Sequence, residues 1–190
     1  KNKQESSPLI LIDFGIASTS FVIFSDNSVR FTASIPISSQ ELTNAISNGL
    51  GINFDEAEEI KVKYGLTEEG EKKYNVSKFI EPVLINLVSQ IKKYINFYQT
   101  HAYHEYLLSE RESDRKIEKI IIFGGGANLK MIDNFIGDML KIPVEIGDPF
   151  INIFDNGNKG NKIIPQQKVI SFTTVLGLAL RGANNIENSK

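Results

Sequence analysis

The sequence contains no cysteine and only two histidines among its 190 residues. The absence of cysteine excludes disulfide bonds, cysteine-ligated zinc sites and thiol catalysis. His101 and His104 lie three positions apart without an evident third ligand, so we predict a surface or helix-end role for them and no metal site. Basic charge is also scarce, because 21 lysines and arginines are offset by 23 acidic residues, a net charge of -2. We therefore expect no nucleic-acid binding, which requires a concentrated basic patch.

The sequence also lacks any apolar run near the roughly 20 residues of a membrane span, and nothing in it resembles a signal peptide. We therefore predict a cytoplasmic protein that does not insert directly into a membrane. The length is that of one domain. The chain starts at Lys1 rather than at a methionine, with a polar stretch before the first apolar strand. This start suggests a piece of a longer protein.

Apolar periodicity predicts an α/β protein with a layered sheet of mixed direction. Short apolar or alternating runs indicate strands, and apolar spacings of three and four indicate helices. The predicted strands cover residues 9–14, 21–24, 29–35, 120–123 and 143–146. The predicted helices cover residues 38–50, 54–64, 82–103, 129–140 and 169–181. The polar segment 66–77 is predicted to be a loop or a reduced insertion, 109–116 a charge-rich link and 153–165 a loop.

A polar loop joins the first predicted strand to the second. Asp13 ends the first strand, where a carboxylate can hold a magnesium ion, often through water. Gly15 allows the backbone to come close to a phosphate. Ser18, Thr19 and Ser20 offer hydroxyl and amide donors to the phosphate oxygens. The pattern Asp-x-Gly-x-x-Ser alone fits an ordinary β-hairpin with a solvated aspartate equally well.

Three consecutive glycines form a second loop, between the fourth predicted strand and a helix. Gly124, Gly125 and Gly126, followed by Ala127, leave room beside bare backbone for a ribose or another flat ligand. The dinucleotide fingerprint and the Walker loop both require glycine where Leu129 stands, so the spacing excludes them. This loop is therefore a candidate nucleoside site.

A charged pair on a predicted helix completes the candidate site. Glu58 and Lys61 are three positions apart and hence lie on one helical face. The carboxylate can accept hydrogen bonds from ribose hydroxyls, and the lysine stem can lie along an adenine ring while its ammonium remains in water. An exposed ion pair without function is the alternative, and the residues alone leave it open.

In this order, the three segments resemble the second half of the actin-like ATPases. Within that superfamily the chain is most similar to the PilM family of type IV pilus assembly, and next to the FtsA family of bacterial cell division. The similarity extends over nearly the whole chain, so the ordered combination is more specific than any single motif. The matching segments are residues 12–15 with 18–20, 42–46, 54–61, 94–98, 124–129, 147–150 and 176–182.

Two features separate the two families. The ending Leu-Gly-Leu-Ala-Leu-Arg at 176–181 is similar to PilM. The segment between Lys61 and Gly124 is short for the larger upper lobe of FtsA. Residues 57–65, however, resemble FtsA equally well.

The resemblance implies an RNase H-like fold of the actin type, with a mixed five-stranded sheet and helices on both faces. Residues 1–190 are expected to be the second domain, with a reduced upper subdomain over about residues 54–80. The first domain, with its own phosphate loop and inserted interaction domain, is expected to be absent. The resemblance implies ATP and magnesium as ligands of the residues named above, with magnesium at Asp13. No catalytic residue is assigned, and we expect this half alone to hydrolyse little ATP.

The resemblance also implies partners and a location. We expect a nucleotide-dependent scaffold that is cytoplasmic and peripheral to the inner membrane, which it reaches through an inner-membrane pilus protein of the PilN type. Pilus assembly ATPases and self-association are further expectations. Two alternatives remain open: an FtsA-like cell-division protein, and a nucleotide-free secretion scaffold of the GspL kind.

Overall fold

A five-stranded sheet forms the centre of the computed structural model, which describes residues 7–101, 116–151 and 166–187. The strands are β1 Leu9–Phe14, β2 Thr19–Ser25, β3 Ser28–Ile35, β4 Lys119–Phe123 and β5 Val144–Ile146. Their order is β3-β2-β1-β4-β5. β1 and β3 are antiparallel to β2, whereas β1, β4 and β5 are parallel to one another. The predicted mixed sheet is confirmed.

The helices connect and cover these strands. They are α1 Ser39–Leu50, α2 Phe54–Tyr64, α3 Glu68–Tyr74, α4 Val76–His101, α5 Ile132–Leu140, α6 Gln166–Val169 and α7 Thr173–Glu187, with 3₁₀ turns at Gly125–Asn128 and Ile170–Phe172. Ser38 caps α1 as predicted, because its hydroxyl accepts from the Glu41 amide. Gly51 ends α1 in a left-handed conformation at φ 69°.

Local residues set the register of the sheet. Asp26 and Asn27 have φ of 49° and 59°, the left-handed conformation of a two-residue hairpin turn, which confirms the predicted turn between β2 and β3. In the neighbouring pairs, Ile12 lies opposite Phe21 on β2 and beside Ile122 on β4. These three side chains share one face of the sheet, and each is at most 2% exposed.

One face of the sheet carries the main apolar core. Every second residue of β1, β2 and β4 is buried there. Burial of each large apolar side chain contributes about 1.5–3 kcal/mol. The core includes Ile10, Ile12, Phe14, Phe21, Ile23, Ile120 and Ile122 from the sheet, and Leu42, Ile46, Leu84, Leu87, Ile91 and Ile136 from α1, α4 and α5. The second face is half-buried. α7 starts on this second face, since Thr174 donates to Asp13, whose side chain points away from the core.

The polar segment 66–77 is helical, so the prediction of a loop there is wrong. Glutamate and lysine are good helix formers even without an apolar stripe, and the Thr67 hydroxyl caps α3 by accepting from the Gly70 amide. The long helix α4 likewise starts at Val76 rather than at Pro82. Val76 and Ile80 are buried and extend its apolar stripe toward the N-terminus, while Pro82 lies on the solvent side.

The remaining predicted boundaries shift by a few residues. The helix after the triple glycine starts at Ile132, and helical structure at the end of the chain extends from Gln166 to Glu187 with one 3₁₀ turn. The predicted loop 153–165, most of the link 109–116 and the position of His104 lie outside the described residues. Among the described residues, no helix is both long and apolar enough to span a bilayer. Residues 54–80 form α2, α3 and the start of α4. That they are a reduced upper subdomain stays a prediction.

Candidate functional site

Both predicted loops lie at the same edge of the sheet. β1 and β4 are parallel, and Asp13 near the end of β1 pairs with Phe123 at the end of β4. Parallel strands present their carboxyl ends at one edge, which is where ligands bind in open α/β sheets. The loops that follow these strands are therefore neighbours, although more than a hundred residues separate them in the sequence.

Gly124 and Asp13 form the contact between the two loops. Gly124 has φ 88°, and a β-carbon at this position would lie 2.5 Å from Asp13 Oδ1 and 2.7 Å from the Phe14 carbonyl oxygen. The Gly124 amide donates to the Ile170 carbonyl at 3.2 Å. Thr174 Oγ1 donates to Asp13 Oδ2 at 3.1 Å. The half-exposed carboxylate is thus fixed by glycine on one side and by a hydroxyl on the other.

The three glycines have different surroundings. A β-carbon at Gly126 would lie 2.4 Å from the buried Phe14 ring, so close packing requires glycine there. For a β-carbon at Gly125 the nearest atom would be Ser171 Oγ at 3.7 Å. Gly125 itself is exposed. Ala127 is buried. Among residues 124–127, Gly125 is therefore the exposed stretch of bare backbone, and the predicted nucleoside floor stays a prediction.

The first loop is held by the N-terminus of α1. Gly15 closes a tight turn, because its amide donates to the Ser18 carbonyl at 3.0 Å and a β-carbon would lie 2.9 Å from that oxygen. The Ser39 amide donates to the Gly15 carbonyl at 2.9 Å, and the Gln40 amide to the Ile16 carbonyl at 3.3 Å. The first turn of α1 thus fixes the orientation of two successive peptide groups in the loop.

This orientation exposes two backbone donors that the sequence analysis missed. In a trans peptide the N–H points opposite to the C=O, and the structure has no cis peptide among its described residues. Because the carbonyls of Gly15 and Ile16 face α1, the N–H groups of Ile16 and Ala17 point away from it. Both residues are exposed, and neither N–H has a partner in the part of the chain that the structure describes. They are oriented as donors to an anion.

The three predicted hydroxyl donors are in different environments. The Ser18 side chain is exposed, and Ser20 pairs with Asp13 across the hairpin and shares its face. Thr19 is fully buried, and its Oγ1 donates to the Ile37 carbonyl at 2.6 Å. That contact does not support a phosphate-binding role for the Thr19 hydroxyl.

The Lys61 side chain points into the protein, so the expectation that its ammonium remains in water is wrong. Nζ lies 2.8 Å from Ser39 Oγ, 2.8 Å from Thr43 Oγ1 and 2.7 Å from Glu58 Oε2. Burial lowers the pKa of Lys61, and the hydrogen bond and charge of Glu58 oppose this shift. The Glu58 side chain is 42% exposed and remains accessible to a ligand. The predicted contacts of both residues with adenine and ribose stay predictions.

α2 also contacts the second loop. Gly65, which caps its C-terminus, has φ 52°, and a β-carbon there would lie 2.8 Å from the Lys130 amide nitrogen. The Leu66 amide donates to the Lys130 carbonyl at 3.1 Å. Lys61 also reaches Ser39 of α1, which binds the first loop at Gly15, so α2 is connected to the first loop through α1 and to the second through Lys130.

The assembled groups suit a polyanion with a divalent cation. The Asp13 carboxylate supplies the oxygen ligand that magnesium prefers, and Ile16 and Ala17 supply adjacent N–H donors. No cluster of three or more acidic or histidine ligands occurs among the described residues. A cation at Asp13 would therefore take most of its ligands from water and from the anion, as is usual for magnesium.

A comparison with known sequences gives the family. The profile described as cell division protein FtsA matches residues 10–177. The chain belongs to this family. It is 27% identical over 196 residues to FtsA of Buchnera aphidicola subsp. Baizongia pistaciae, an alignment that covers 90% of the chain and 44% of that relative. It is 41% identical over 54 residues to FtsA of Pseudomonas aeruginosa, covering 28% of the chain and 13% of the relative. The chain thus spans less than half of these relatives.

Solved structures show the actin-like ATPase fold. A PilM-PilN type IV pilus biogenesis complex gives a TM-score of 0.70 at 24% identity, covering 93% of this chain and 46% of that one. MreB5 of Spiroplasma citri bound to AMPPNP gives 0.57 at 19% identity, covering 100% and 58%. The archaeal actin homologue Ta0583 in complex with ADP gives 0.60 at 16%, covering 95% and 51%. The predicted fold is confirmed, whereas the relatives' names are FtsA and leave the PilM assignment a prediction.

Proposed function

We propose that this chain forms one wall of an ATP site, and that the full-length protein containing it binds ATP with magnesium. One observation carries the proposal. The Asp13 carboxylate, the outward N–H groups of Ile16 and Ala17 and the exposed backbone of Gly125 lie at one edge of the sheet. Nucleotide-bound structures with the same fold support it, since MreB5 binds AMPPNP and Ta0583 binds ADP.

Each group has a proposed part. Asp13 orients the magnesium ion through water, and the N–H groups of Ile16 and Ala17, with the Ser18 hydroxyl, bind phosphate oxygens. The exposed Glu58 carboxylate accepts from ribose hydroxyls. The exposed backbone at Gly125 lies beside the nucleoside.

The opposite wall is proposed to come from another half of the protein. The curated relatives are more than twice as long as their aligned parts. One wall alone leaves the phosphates open to water, which weakens every electrostatic contact. We therefore expect weak nucleotide binding and little hydrolysis by residues 1–190 alone, and a conformational use of ATP in the full-length protein.

Type IV pilus assembly is the setting that we propose for this scaffold. The PilM-PilN complex has a TM-score of 0.70, against 0.57 and 0.60 for the MreB5 and Ta0583 structures named above. The short connection from α2 through α3 to α4 also supports a PilM-like upper subdomain. A PilN-type inner-membrane protein is the proposed partner, and the cytoplasmic side of the inner membrane the proposed location.

Cell division is the second candidate. The family match over residues 10–177 and the names of the curated relatives support it. Deletion of the gene in its host separates the two settings. Loss of surface pili with normal division supports the first, whereas long undivided cells with intact pili support the second.

Calorimetry with ATP and magnesium tests the nucleotide site in the full-length protein. We expect Asp13→Asn to bind about tenfold or more weakly, the loss of one interaction with a charged group. Asp133→Asn, in the first turn of α5, is the matched control and should bind like wild type. Equal binding by wild type and Asp13→Asn would remove the metal role. An absence of binding by wild type would favour the nucleotide-free scaffold of the GspL kind.

A further inference from the structure

The Lys61 ammonium is enclosed by acceptors from α1 and α2. It donates to the Ser39 carbonyl at 3.2 Å, to Ser39 Oγ at 2.8 Å and to Thr43 Oγ1 at 2.8 Å, and it pairs with Glu58 at 2.7 Å. Lys61 is 4% exposed. An ammonium has three hydrogens, so four acceptors around it leave no hydrogen for a ligand in this arrangement.

The contacts continue from Lys61 to the first loop. Ser39, which accepts twice from Lys61, donates its own amide to the Gly15 carbonyl at 2.9 Å. The next amide in α1, that of Gln40, binds the Ile16 carbonyl. Lys61 is thus one hydrogen-bonded residue away from the peptide groups whose N–H donors are exposed.

We propose that Lys61 is a positioning residue that fixes the first turn of α1 and thereby the orientation of the Ile16 and Ala17 N–H groups. The proposal rests on the proposed ATP site and gives Lys61 a role other than contact with adenine. It also gives Ser39 and Thr43, which were not among the predicted site residues, a role in phosphate binding. Thr43 connects the two helices, because Oγ1 lies 2.5 Å from Glu58 Oε2 and 2.8 Å from Lys61 Nζ.

Burial makes this connection rigid. A charge removed from water is tolerated only where its hydrogen bonds are satisfied, and loss of one partner leaves the others unpaired at substantial cost. A solvated lysine exchanges partners freely, whereas this ammonium has fixed acceptors on both helices. The lowered pKa of Lys61 agrees with this enclosure.

Amide hydrogen exchange in the nucleotide-free, full-length protein tests the positioning directly. The reporters are the Ser39 and Gln40 amides, which join α1 to the loop, and the Gly51 amide at the other end of α1, which donates to the Ser47 carbonyl. Lys61→Met should speed exchange of the first two about tenfold, the equivalent of one charged hydrogen bond, and leave Gly51 unchanged.

Matched variants separate positioning from general destabilisation. Thr43→Val removes a hydroxyl at the Lys61 end of α1 and should reproduce the effect of Lys61→Met. Ser47→Ala removes a hydroxyl that donates to the Ile52 carbonyl at the opposite end, and should speed exchange at Gly51 only. Unchanged exchange at Ser39 and Gln40 in Lys61→Met would overturn the proposal. So would an equal increase at Gly51.

Competition binding distinguishes positioning from direct contact with the base. Lys61→Met should weaken ATP-magnesium about tenfold more than adenosine. Both ligands share any change at Glu58, the partner of Lys61, whereas only the phosphate contacts of ATP depend on the loop. Equal weakening of both ligands would overturn the proposal in favour of contact with the nucleoside. If wild type binds no ATP, the proposed function fails, and the exchange experiment still decides whether Lys61 orients the loop.

Discussion

Gly124 lies against the carboxylate of Asp13, so closely that a β-carbon at position 124 would be 2.5 Å from Oδ1. This relationship joins the ends of two strands whose loops are far apart in the sequence. It also explains why the glycine is needed: the space that a side chain would fill belongs to the proposed metal ligand. Each glycine in the loop therefore has its own structural role, which depends on its position.

Alanine substitutions should separate Gly124 from its neighbour. Gly124→Ala combines a strained φ of 88° with contact against Asp13 and the Phe14 carbonyl, and should lower the free energy of unfolding by about 3 kcal/mol. In Gly125→Ala the new β-carbon meets only Ser171 Oγ, at 3.7 Å. This variant should change the free energy of unfolding by less than about 1 kcal/mol. Urea unfolding measures both. Equal destabilisation would contradict the different surroundings of the two glycines.

A second pair of alanine variants tests packing against a phenyl ring. Gly126→Ala would meet the Phe14 ring at 2.4 Å, and Gly49→Ala the Phe79 ring at 2.2 Å. Phe14 is fully buried and cannot move, so we expect a loss of about 2 kcal/mol. Phe79 is half-buried and can rotate away, while alanine favours α1 by about 1 kcal/mol over glycine. In thermal unfolding, Gly49→Ala should therefore have a clearly higher midpoint temperature than Gly126→Ala.

Gly65 and Gly51 test the link between α2 and the second loop. Both have positive φ, at 52° and 69°, so alanine is strained at either position. Only Gly65→Ala also meets backbone, with Lys130 N at 2.8 Å and O at 2.9 Å. We expect about 1 kcal/mol of destabilisation for Gly51→Ala and about 3 kcal/mol for Gly65→Ala. Similar values in urea unfolding would mean that the Lys130 contact adds nothing.

The buried ammonium should give stability a measurable pH dependence. Burial lowers the folded-state pKa of Lys61 below the ordinary value of 10.5. Between the two pKa values the unfolded chain binds more protons than the folded chain, so stability rises with pH in that window. The variant Lys61→Met has no titrating group at this position and so lacks this pH dependence. The free energy of unfolding of wild type, relative to Lys61→Met, should increase as pH rises from neutral toward 10.5.

Glu58→Gln gives the matched control for that measurement. Glu58 raises the pKa of Lys61 and so opposes the effect of burial. Without this carboxylate the folded-state pKa falls further, and the rise in stability should begin at a lower pH. If the free energy of unfolding of wild type relative to Lys61→Met stays constant or decreases as pH rises, the enclosure of Lys61 is contradicted.

The sheet and its loops could be predicted because their residues carry local signals. A continuous apolar run predicted β1, and alternating apolar residues predicted β3. The Asp26-Asn27 turn and the Ser38 cap set the boundaries of β3 and α1. α3 was missed because its residues, Glu68–Tyr74, present no apolar stripe. Glutamate and lysine have a high intrinsic helix propensity, which cannot be recognised from polarity alone.

The direction of a side chain was harder to predict than its position. Glu58 and Lys61 were placed correctly on one face of α2, yet the sequence did not show that this face packs against Ser39 and Thr43 of α1. The Ile16 and Ala17 donors were missed for a similar reason. Their orientation depends on backbone hydrogen bonds from α1, which do not depend on the identity of any side chain in the loop.

The pairing of β1 with β4 has a consequence for biosynthesis. Ile12 pairs with Ile122, 110 positions later in the chain. At roughly 5–20 residues per second, a ribosome needs on the order of 5–20 s to produce that partner. During this interval the central strand has only its hairpin neighbour, and its other edge is open to incorrect pairing. Because Gly124 follows β4 directly, the proposed nucleotide site cannot form before β4 has been made and has paired with β1.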